Sequence, residues 1–387
     1  MTLIYLDNNA TTQPAPQVVA AMLTMLTEWY GNPSSVHRFG QRARQAVDQA
    51  RSQIASLINC ADAELLLTGG GTEAINTAIR GILSARSPKK RIVTTTVEHS
   101  ATRQLCQQLP KEGAEIIEVP VHRDGSLDLD AWQSALDPDK TALATALWAN
   151  NETGVIFPAP KMAELAKAKG IPFHCDATQA VGKIPVDVKA AGFDALTLAA
   201  HKFHGPKGAA ALFLRRGLRI SPLIIGGPQE RGRRGGTENV PGIVGMGVAA
   251  ELAATALRDG TDHTRIPELR DRLEQAILST IPETTVNGDP ANRLPNTTNI
   301  SFSRLEAEAI LLLLSEKNIC ASAGAACSSG SLEPSHVLKA MKIPDHLAHG
   351  AIRFSLSRLS TIAEIDQTLA LLPAMIERLR KVLPVGV

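Results

Sequence analysis

The sequence carries almost no excess of charge of either sign: 40 Lys and Arg stand against 38 Asp and Glu, a formal net charge of +2 over 387 residues. That balance excludes the strong, salt-dependent phosphate attraction of a dedicated nucleic-acid binder. Cysteine is sparse and unpatterned. The five residues, at 60, 106, 175, 320 and 327, are an odd number without C-x-x-C spacing, which argues against a secreted disulfide scaffold and against a structural zinc cluster. Long apolar stretches are absent as well. No unbroken run exceeds that at 309–314, far short of the roughly 20 residues that span a bilayer. The opening MTLIYLDNNATT lacks a basic segment followed by an apolar stretch and a small-residue cleavage site, so no secretory signal is expected. No internal repeat is present. These absences leave a soluble protein of a reducing compartment, expected in the cytoplasm, with neither nucleic acid nor membrane as a partner. At about 150 residues per domain the length suits two or three domains with substantial cores.

Short apolar runs alternate with helical patterns through the first two thirds of the chain. Strands are expected at 64–68, 92–96, 115–119, 142–149, 171–175, 195–200 and 209–214. Between them lie segments of 3.6-residue period, such as Ala74, Ile75, Ala78, Ile79, Ile82 and Leu83 on one face. Strands interleaved with helices and buried on both faces predict an α/β fold with a mainly parallel sheet, whose ligands sit beyond the carboxyl ends of the strands. A Gly- and Arg-rich loop at 226–242 leads to a helix at 241–257, and Asp259-Gly260-Thr261 marks a boundary by its turn chemistry. Beyond it the pattern reads helix 266–281, strand 298–302, helix 306–316, a small-residue loop, strand 351–355 and helix 362–382. This predicts a large domain at 14–258 and a smaller α+β domain built from 1–13 and 259–387.

Four features carry chemistry. Thr68-Gly69-Gly70-Gly71-Thr72-Glu73 falls between a strand and an amphipathic helix. Glycines allow close approach of an anion and the helix start offers free N–H groups, so a phosphate fits there; a plain tight turn is the other reading. Asp176 and Gln179 lie just past one expected strand, and Lys202 ends another whose last residues are apolar apart from Thr197. Desolvation would lower the Lys202 pKa from about 10.4 and leave a nucleophilic amine suited to a Schiff base, unless the side chain turns to solvent. A phosphate seat, an acid for a pyridinium nitrogen and a Schiff-base lysine are together the parts of a pyridoxal phosphate site. At about 4 Å and an effective dielectric near 20, Asp176 would hold a ring-nitrogen proton by roughly 4 kcal/mol, about three pKa units; a helix N-cap is its alternative role. The fourth feature is the loop 321–331, made wholly of small residues around Cys327. A thiol on such a segment suits nucleophilic sulfur chemistry, whereas the other four cysteines sit in apolar surroundings that suit packing. Arg353 stands inside an apolar strand, where its planar fork suits a substrate carboxylate or a structural ion pair. The Arg231, Arg233 and Arg234 cluster with Thr237 reads as an anion site or as a solvated loop.

Ordered motifs then identify a relationship. They are Tyr5-Leu-Asp-Asn-Asn-Ala-Thr-Thr12, Gly31-Asn-Pro-Ser-Ser-Val-His37, the Gly-Gly-Thr-Glu turn, Glu98-His99, Asn150-Asn-Glu-Thr-Gly154, Asp176-Ala-Thr-Gln179, His201-Lys202, Arg234-Gly-Gly-Thr237, Ser331-Leu-Glu-Pro334 after the Cys327 loop, and Ile352-Arg-Phe-Ser-Leu356. Along nearly its whole length the sequence resembles the cysteine desulfurases of nitrogen fixation and iron-sulfur assembly, in the class V aminotransferase-like family. The resemblance implies the aspartate-aminotransferase-like fold (PLP fold type I), with a mainly parallel seven-stranded sheet, a homodimer, and conversion of L-cysteine to L-alanine with the sulfur kept as a persulfide. It implies that Lys202 carries pyridoxal phosphate (PLP) as a Schiff base, that Asp176 pairs with the ring nitrogen, and that His99 stacks on the ring and moves protons. Asn151 and Gln179 would face the phenolic oxygen, with Asn151 also near the substrate carboxylate. Gly71, Thr72 and His201 would bind the phosphate, joined by Thr237 of the partner subunit; Arg353 would clamp the substrate carboxylate, and Cys327 would take the sulfur. No metal is implied. The expected recipient of the sulfur is an iron-sulfur scaffold or another acceptor protein. Housekeeping members extend somewhat past the point where this sequence stops, and scaffolds tend to dock near that tail. Members commonly carry a hydroxyl residue three positions before the lysine, where this sequence has Ala199; the missing phosphate contact is worth about 1 to 3 kcal/mol. An aminotransferase or a selenocysteine lyase on the same scaffold, or a non-catalytic phosphate or nucleotide-binding module, are the competing readings; transamination does not need the thiol loop, and a preference for selenocysteine is invisible in sequence.

Overall fold

Alternating burial and helical period build a layered α/β structure. The computed structural model describes residues 3–323 and 333–382. Its strands, in chain order, are β1 (Ile4–Tyr5), β2 (Leu65–Thr68), β3 (Arg91–Thr95), β4 (Glu115–Val119), β5 (Thr141–Leu147), β6 (Phe173–Asp176), β7 (Ala195–Ala199), β8 (Ala210–Leu214), β9 (Thr284–Val286), β10 (Thr297–Phe302), β11 (Ile319–Cys320) and β12 (Ala351–Ser355). Seven of them form one sheet in the order β2-β8-β7-β6-β5-β3-β4. Neighbours from β7 to β4 are parallel, and β8 runs antiparallel to both β2 and β7. β5 to β8 are buried along their whole length, as strands covered on both faces must be.

This order puts the ends of β2, β3, β5, β6 and β7 on one edge of the sheet. The residues that follow them there are Gly69 to Thr72, Glu98 and His99, Asn150 and Asn151, Thr178 and Gln179, and His201 and Lys202. The carboxyl end of a parallel sheet is where backbone turns back and leaves room for a ligand.

A second core gathers Ile4, Leu6, Leu273, Ile277, Ile300, Phe302, Ile310, Leu314, Ile352, Phe354, Ile365 and Leu372. It joins the antiparallel sheet β12-β10-β9 and the short parallel pair β1-β11 to the helices Thr261–Thr280, Ala307–Glu316 and Ile362–Val382. The N-terminal segment is woven into both parts: Leu6 lies in this core, whereas Thr12 donates its backbone N–H to the His201 carbonyl at 2.8 Å.

Helix Val240–Asp259 is the one helix among the described residues long and apolar enough to cross a membrane by length and composition. Packing accounts for its character. It lies against helices Pro16–Thr27 and Arg38–Ile58, so closely that a Cβ on Gly247 would stand 2.6 Å from the Ala50 Cα, and one on Gly245 would stand 2.8 Å from the Met22 side chain.

Several boundaries differ from the expectations. Strand 142–149 ends at Leu147, before the turn that carries Asn150 and Asn151, and strand 171–175 is displaced to Phe173–Asp176. Helix 266–281 starts five residues earlier, because left-handed Gly260 both ends one helix and opens the next. β1, β9 and β11 have two or three residues each, too few for a periodic pattern to register.

Candidate active site

A cavity of about 370 Å³ opens at the carboxyl edge of the sheet and is lined by Gly71, Thr72, His99, Asn151, Asp176, Gln179, His201, Lys202 and Arg353 among others. Nine of the expected site residues therefore meet in one place. Lys202 does not turn to solvent. It sits in a short 3₁₀ turn after β7, and its Nζ donates to the carbonyls of Asn9 at 2.6 Å and Ala10 at 2.8 Å. These two carbonyl acceptors orient the amine in the turn, and it is a nucleophile once deprotonated.

Asp176 ends β6 and is 5% exposed. Its Oδ1 accepts the Thr178 N–H at 3.0 Å, so one oxygen caps the following turn while the residue still lines the cavity. The capping role is present, at a turn and not at a helix, and it leaves the second oxygen uncommitted to that turn. Behind it, His174 bridges the hydroxyls of Thr145 and Thr197 at 2.8 and 2.9 Å, and burial pushes its pKa down to about 4, so it stays neutral inside the sheet.

His99 caps helix Ser100–Gln108, its Nδ1 accepting the Ala101 N–H at 3.2 Å. An accepting Nδ1 puts the proton of the neutral ring on Nε2. Burial pushes the His99 pKa down, against the pull of Asp176 and together with the Lys202 charge. The His201 pKa falls to about 4 through burial and the cations Lys202, Lys207 and Lys183, so His201 offers a neutral ring. Helix Gly71–Ala85 makes its first intrahelical bond from the Ala74 N–H to the Gly70 carbonyl. The N–H groups of Gly71 and Thr72 precede it, at the positive end of the helix, where a helix start offers donors to an anion, and both residues line the cavity. A Cβ on Gly71 would meet Ala199 Cβ at 3.6 Å, which places the Ala199 methyl beside this helix start.

Arg353 in β12 is 1% exposed. Its Nη2 donates to Asp7 Oδ1 at 2.6 Å and its Nη1 to the Asn151 carbonyl at 2.9 Å. The structural ion pair is therefore real, and the residue lines the cavity as well. The Arg231, Arg233 and Arg234 cluster is spent on structure. Arg231 and Arg233 donate to the Ala63 carbonyl, Arg233 also to that of Leu65, and Arg234 pairs with Glu73 at 2.9 Å. Thr237 borders a separate hollow beyond Gly69 and Arg234 and does not line the cavity of its own chain.

Cys327 lies outside the described residues. On either side of it the described backbone is tied to the cavity wall. Ser322 exchanges backbone hydrogen bonds with Arg353 at 2.7 and 3.2 Å, Ser335 bonds through its hydroxyl to Glu152, and His336 Nε2 lies 2.9 Å from the Glu98 carbonyl. Of the other thiols, Cys106 and Cys175 are buried and Cys60 and Cys320 partly so, all free.

Sequence reasoning assigned no role to Asn9, Glu98, Glu152 or Lys183. Asn9 is a buried hub: its Nδ2 donates to Thr297 Oγ1 and the Asn151 carbonyl, its Oδ1 accepts from Lys183 and Asn296, and its carbonyl accepts from Gln179 and Lys202. Glu98 is fully enclosed, and burial pushes its carboxyl up to about 8, although Thr95 and the Leu147 N–H bond to it. Both residues stand in quoted motifs, but nothing in a linear motif reveals burial. These groups fit PLP: a lysine amine held by two backbone carbonyls, an acid with one oxygen uncommitted by its turn, N–H groups at a helix start and a buried guanidinium all border one volume.

Residues 4–368 match the aminotransferase class-V family. Cysteine desulfurase 2 of Trichormus variabilis is 54% identical over 99% of this chain and 96% of its own length. The cysteine desulfurase NifS of Azotobacter vinelandii is 50% identical over 99% and 95%. Among solved structures, a NifS-like protein superimposes with a TM-score of 0.90 at 34% identity, covering 98% of this chain and all of the other. By full-length sequence similarity and by fold, the chain belongs to the class-V aminotransferase family, with the architecture of PLP fold type I.

Proposed function

We propose that this protein is a PLP-dependent cysteine desulfurase. The observation that carries the reading is the meeting of Lys202, Asp176, the Gly71–Thr72 helix start and Arg353 around one cavity; the identity with named desulfurases supports it. The net reaction is L-cysteine plus the Cys327 thiol giving L-alanine plus the Cys327 persulfide. The substrate C–S bond breaks, an S–S bond forms, and the thiol proton stays with the products. When bound, PLP supplies an electron sink conjugated to the substrate's α-carbon.

The residues divide the work. Lys202 holds the cofactor through its amine, and Asp176 keeps the ring nitrogen protonated. Gly71 and Thr72 seat the phosphate with the neutral His201 ring. Asn151 and Gln179 face the phenolic oxygen. His99, whose Nδ1 accepts the Ala101 N–H, would lie against the bound cofactor and exchange protons at Nε2. Arg353, held by Asp7, orients the substrate carboxylate with Asn151 alongside. Cys327 receives the sulfur and passes it to an iron-sulfur scaffold or another acceptor protein.

The proposal extends to a homodimer. Val19, Leu23, Leu26, Tyr30 and Val36 are all more than half exposed in or just after the first helix, an apolar surface that a second copy would cover. Thr237, outside its own chain's cavity, would then reach the partner's phosphate site. A cytoplasmic location suits the four free thiols. The test is incubation with L-cysteine and a reductant. Sulfide and alanine should appear in equal amounts, and Cys327→Ala should release neither while keeping the cofactor's colour. Sulfide at the parent rate from that variant would remove Cys327 from the reaction.

A further inference from the structure

Lys183 lies four residues beyond Gln179, in a tight turn whose Gly182 is left-handed (φ +79°). A Cβ on Gly182 would stand 2.6 Å from the Phe203 Cβ, so the turn is pressed against the residue that follows Lys202. The ammonium is partly buried and its Nζ donates to two neutral amide oxygens, Gln179 Oε1 at 2.5 Å and Asn9 Oδ1 at 2.8 Å. Among the described residues it forms no ion pair with a carboxylate. A buried lysine of this kind is rare, and its position beside the cavity needs a reason.

Hydrogen-bond chemistry supplies one. An ammonium has donors and no acceptor, so the Gln179 atom that faces it must be the oxygen. The Gln179 amide nitrogen is then turned the other way, where one of its hydrogens goes to the Asn9 carbonyl at 2.9 Å. Its second hydrogen remains for a ligand in the cavity that Gln179 lines. Without Lys183 the amide could flip and present an acceptor instead.

We propose that Lys183 is a positioning residue that fixes Gln179 as a hydrogen-bond donor toward the phenolic-oxygen side of the cofactor. The inference rests on the reading that Gln179 faces that oxygen. A donor on the phenolic oxygen competes with the internal hydrogen bond between that oxygen and the nitrogen joining Lys202 to the cofactor, and so eases loss of that nitrogen's proton. The charged and titratable groups that line the cavity with Gln179 are His99, Arg103, Glu152, Asp176, His201, Lys202, His336 and Arg353; Asp7 pairs with Arg353, and Lys183 stands against the Gln179 amide. Burial, with Lys202 and Arg353 nearby, pushes the Lys183 pKa down, whereas its two amide-oxygen acceptors favour the protonated form that donates to both.

The test is a pH titration of the visible absorption of the PLP-loaded enzyme, measured without substrate. Lys183→Met should keep the coloured, lysine-bound cofactor but move the titration midpoint up by about one pH unit, a tenfold change in proton affinity. In a Gln179→Ala background the same substitution should shift the midpoint far less, because the effect runs through Gln179. Lys183→Arg retains the donors and should stay near the parent, which keeps the test decisive if Lys183→Met folds poorly. An unchanged midpoint in Lys183→Met, or an equal shift with and without Gln179, overturns the proposal. A parent enzyme that forms no visible band with PLP contradicts the role of Lys202 instead.

Discussion

Replacing Arg353 by lysine probes substrate recognition while leaving the charge in place. The guanidinium forks between Asp7 Oδ1 at 2.6 Å and the Asn151 carbonyl at 2.9 Å, at a position 1% exposed. A single ammonium cannot satisfy both partners and also present a planar pair of donors to a carboxylate. At least one charge-assisted hydrogen bond is lost, worth about 1.5 to 3 kcal/mol, which corresponds to a rise in KM for L-cysteine of roughly tenfold to a hundredfold. Steady-state kinetics of alanine formation, with thermal unfolding as the control for folding, measures it. Asp7→Asn supplies the contrast: it weakens the ion pair but keeps the fork, so KM should rise less than in Arg353→Lys. A folded, coloured Arg353→Lys protein with the parent KM would refute the carboxylate role and leave Arg353 as a structural residue only.

Two further outcomes follow from burial and backbone geometry. The Glu98 carboxyl, raised to about 8 by burial, keeps its proton after the unfolded chain has lost it. Its contribution to stability is full below pH about 4.5 and is lost as pH rises to about 8. Glu98→Gln has no proton to retain and should flatten that part of the slope in urea unfolding; parallel curves for parent and variant would contradict the buried neutral acid. Gly182→Ala, at φ +79° and facing Phe203, should destabilise the fold by about 1 to 3 kcal/mol in thermal or chemical unfolding and disturb the cofactor's visible band by displacing Lys183. A variant as stable as the parent would show that the turn has room to relax.

The sheet was legible because β5, β7 and β8 are mostly apolar and most strands are separated by helical periods, and because the segments that follow the strands carry the polar residues that form the cavity. Lys202, Asp176 and Gly71–Thr72 could be read for the same reason: each interrupts an apolar run at the end of a strand. β1 and β11 escaped notice, since a two-residue strand has no period. The interactions around Asn9 and Lys183 were hidden for a different reason. They depend on the N-terminal segment crossing to the Lys202 turn, a contact between residues nearly two hundred apart, which no local pattern encodes. Arg353 was read as either a carboxylate clamp or an ion-pair partner; the fold shows the ion pair with Asp7 and places the residue on the cavity wall.

The most direct test of the central claim is a single turnover without reductant. The protein, loaded with PLP, receives one equivalent of L-cysteine, and the peptide that contains Cys327 is weighed by mass spectrometry while alanine is quantified. The account predicts one added sulfur atom on Cys327 and an equal amount of alanine. Alanine with the sulfur on another cysteine, or consumption of L-cysteine without a sulfur-bearing peptide, would contradict it.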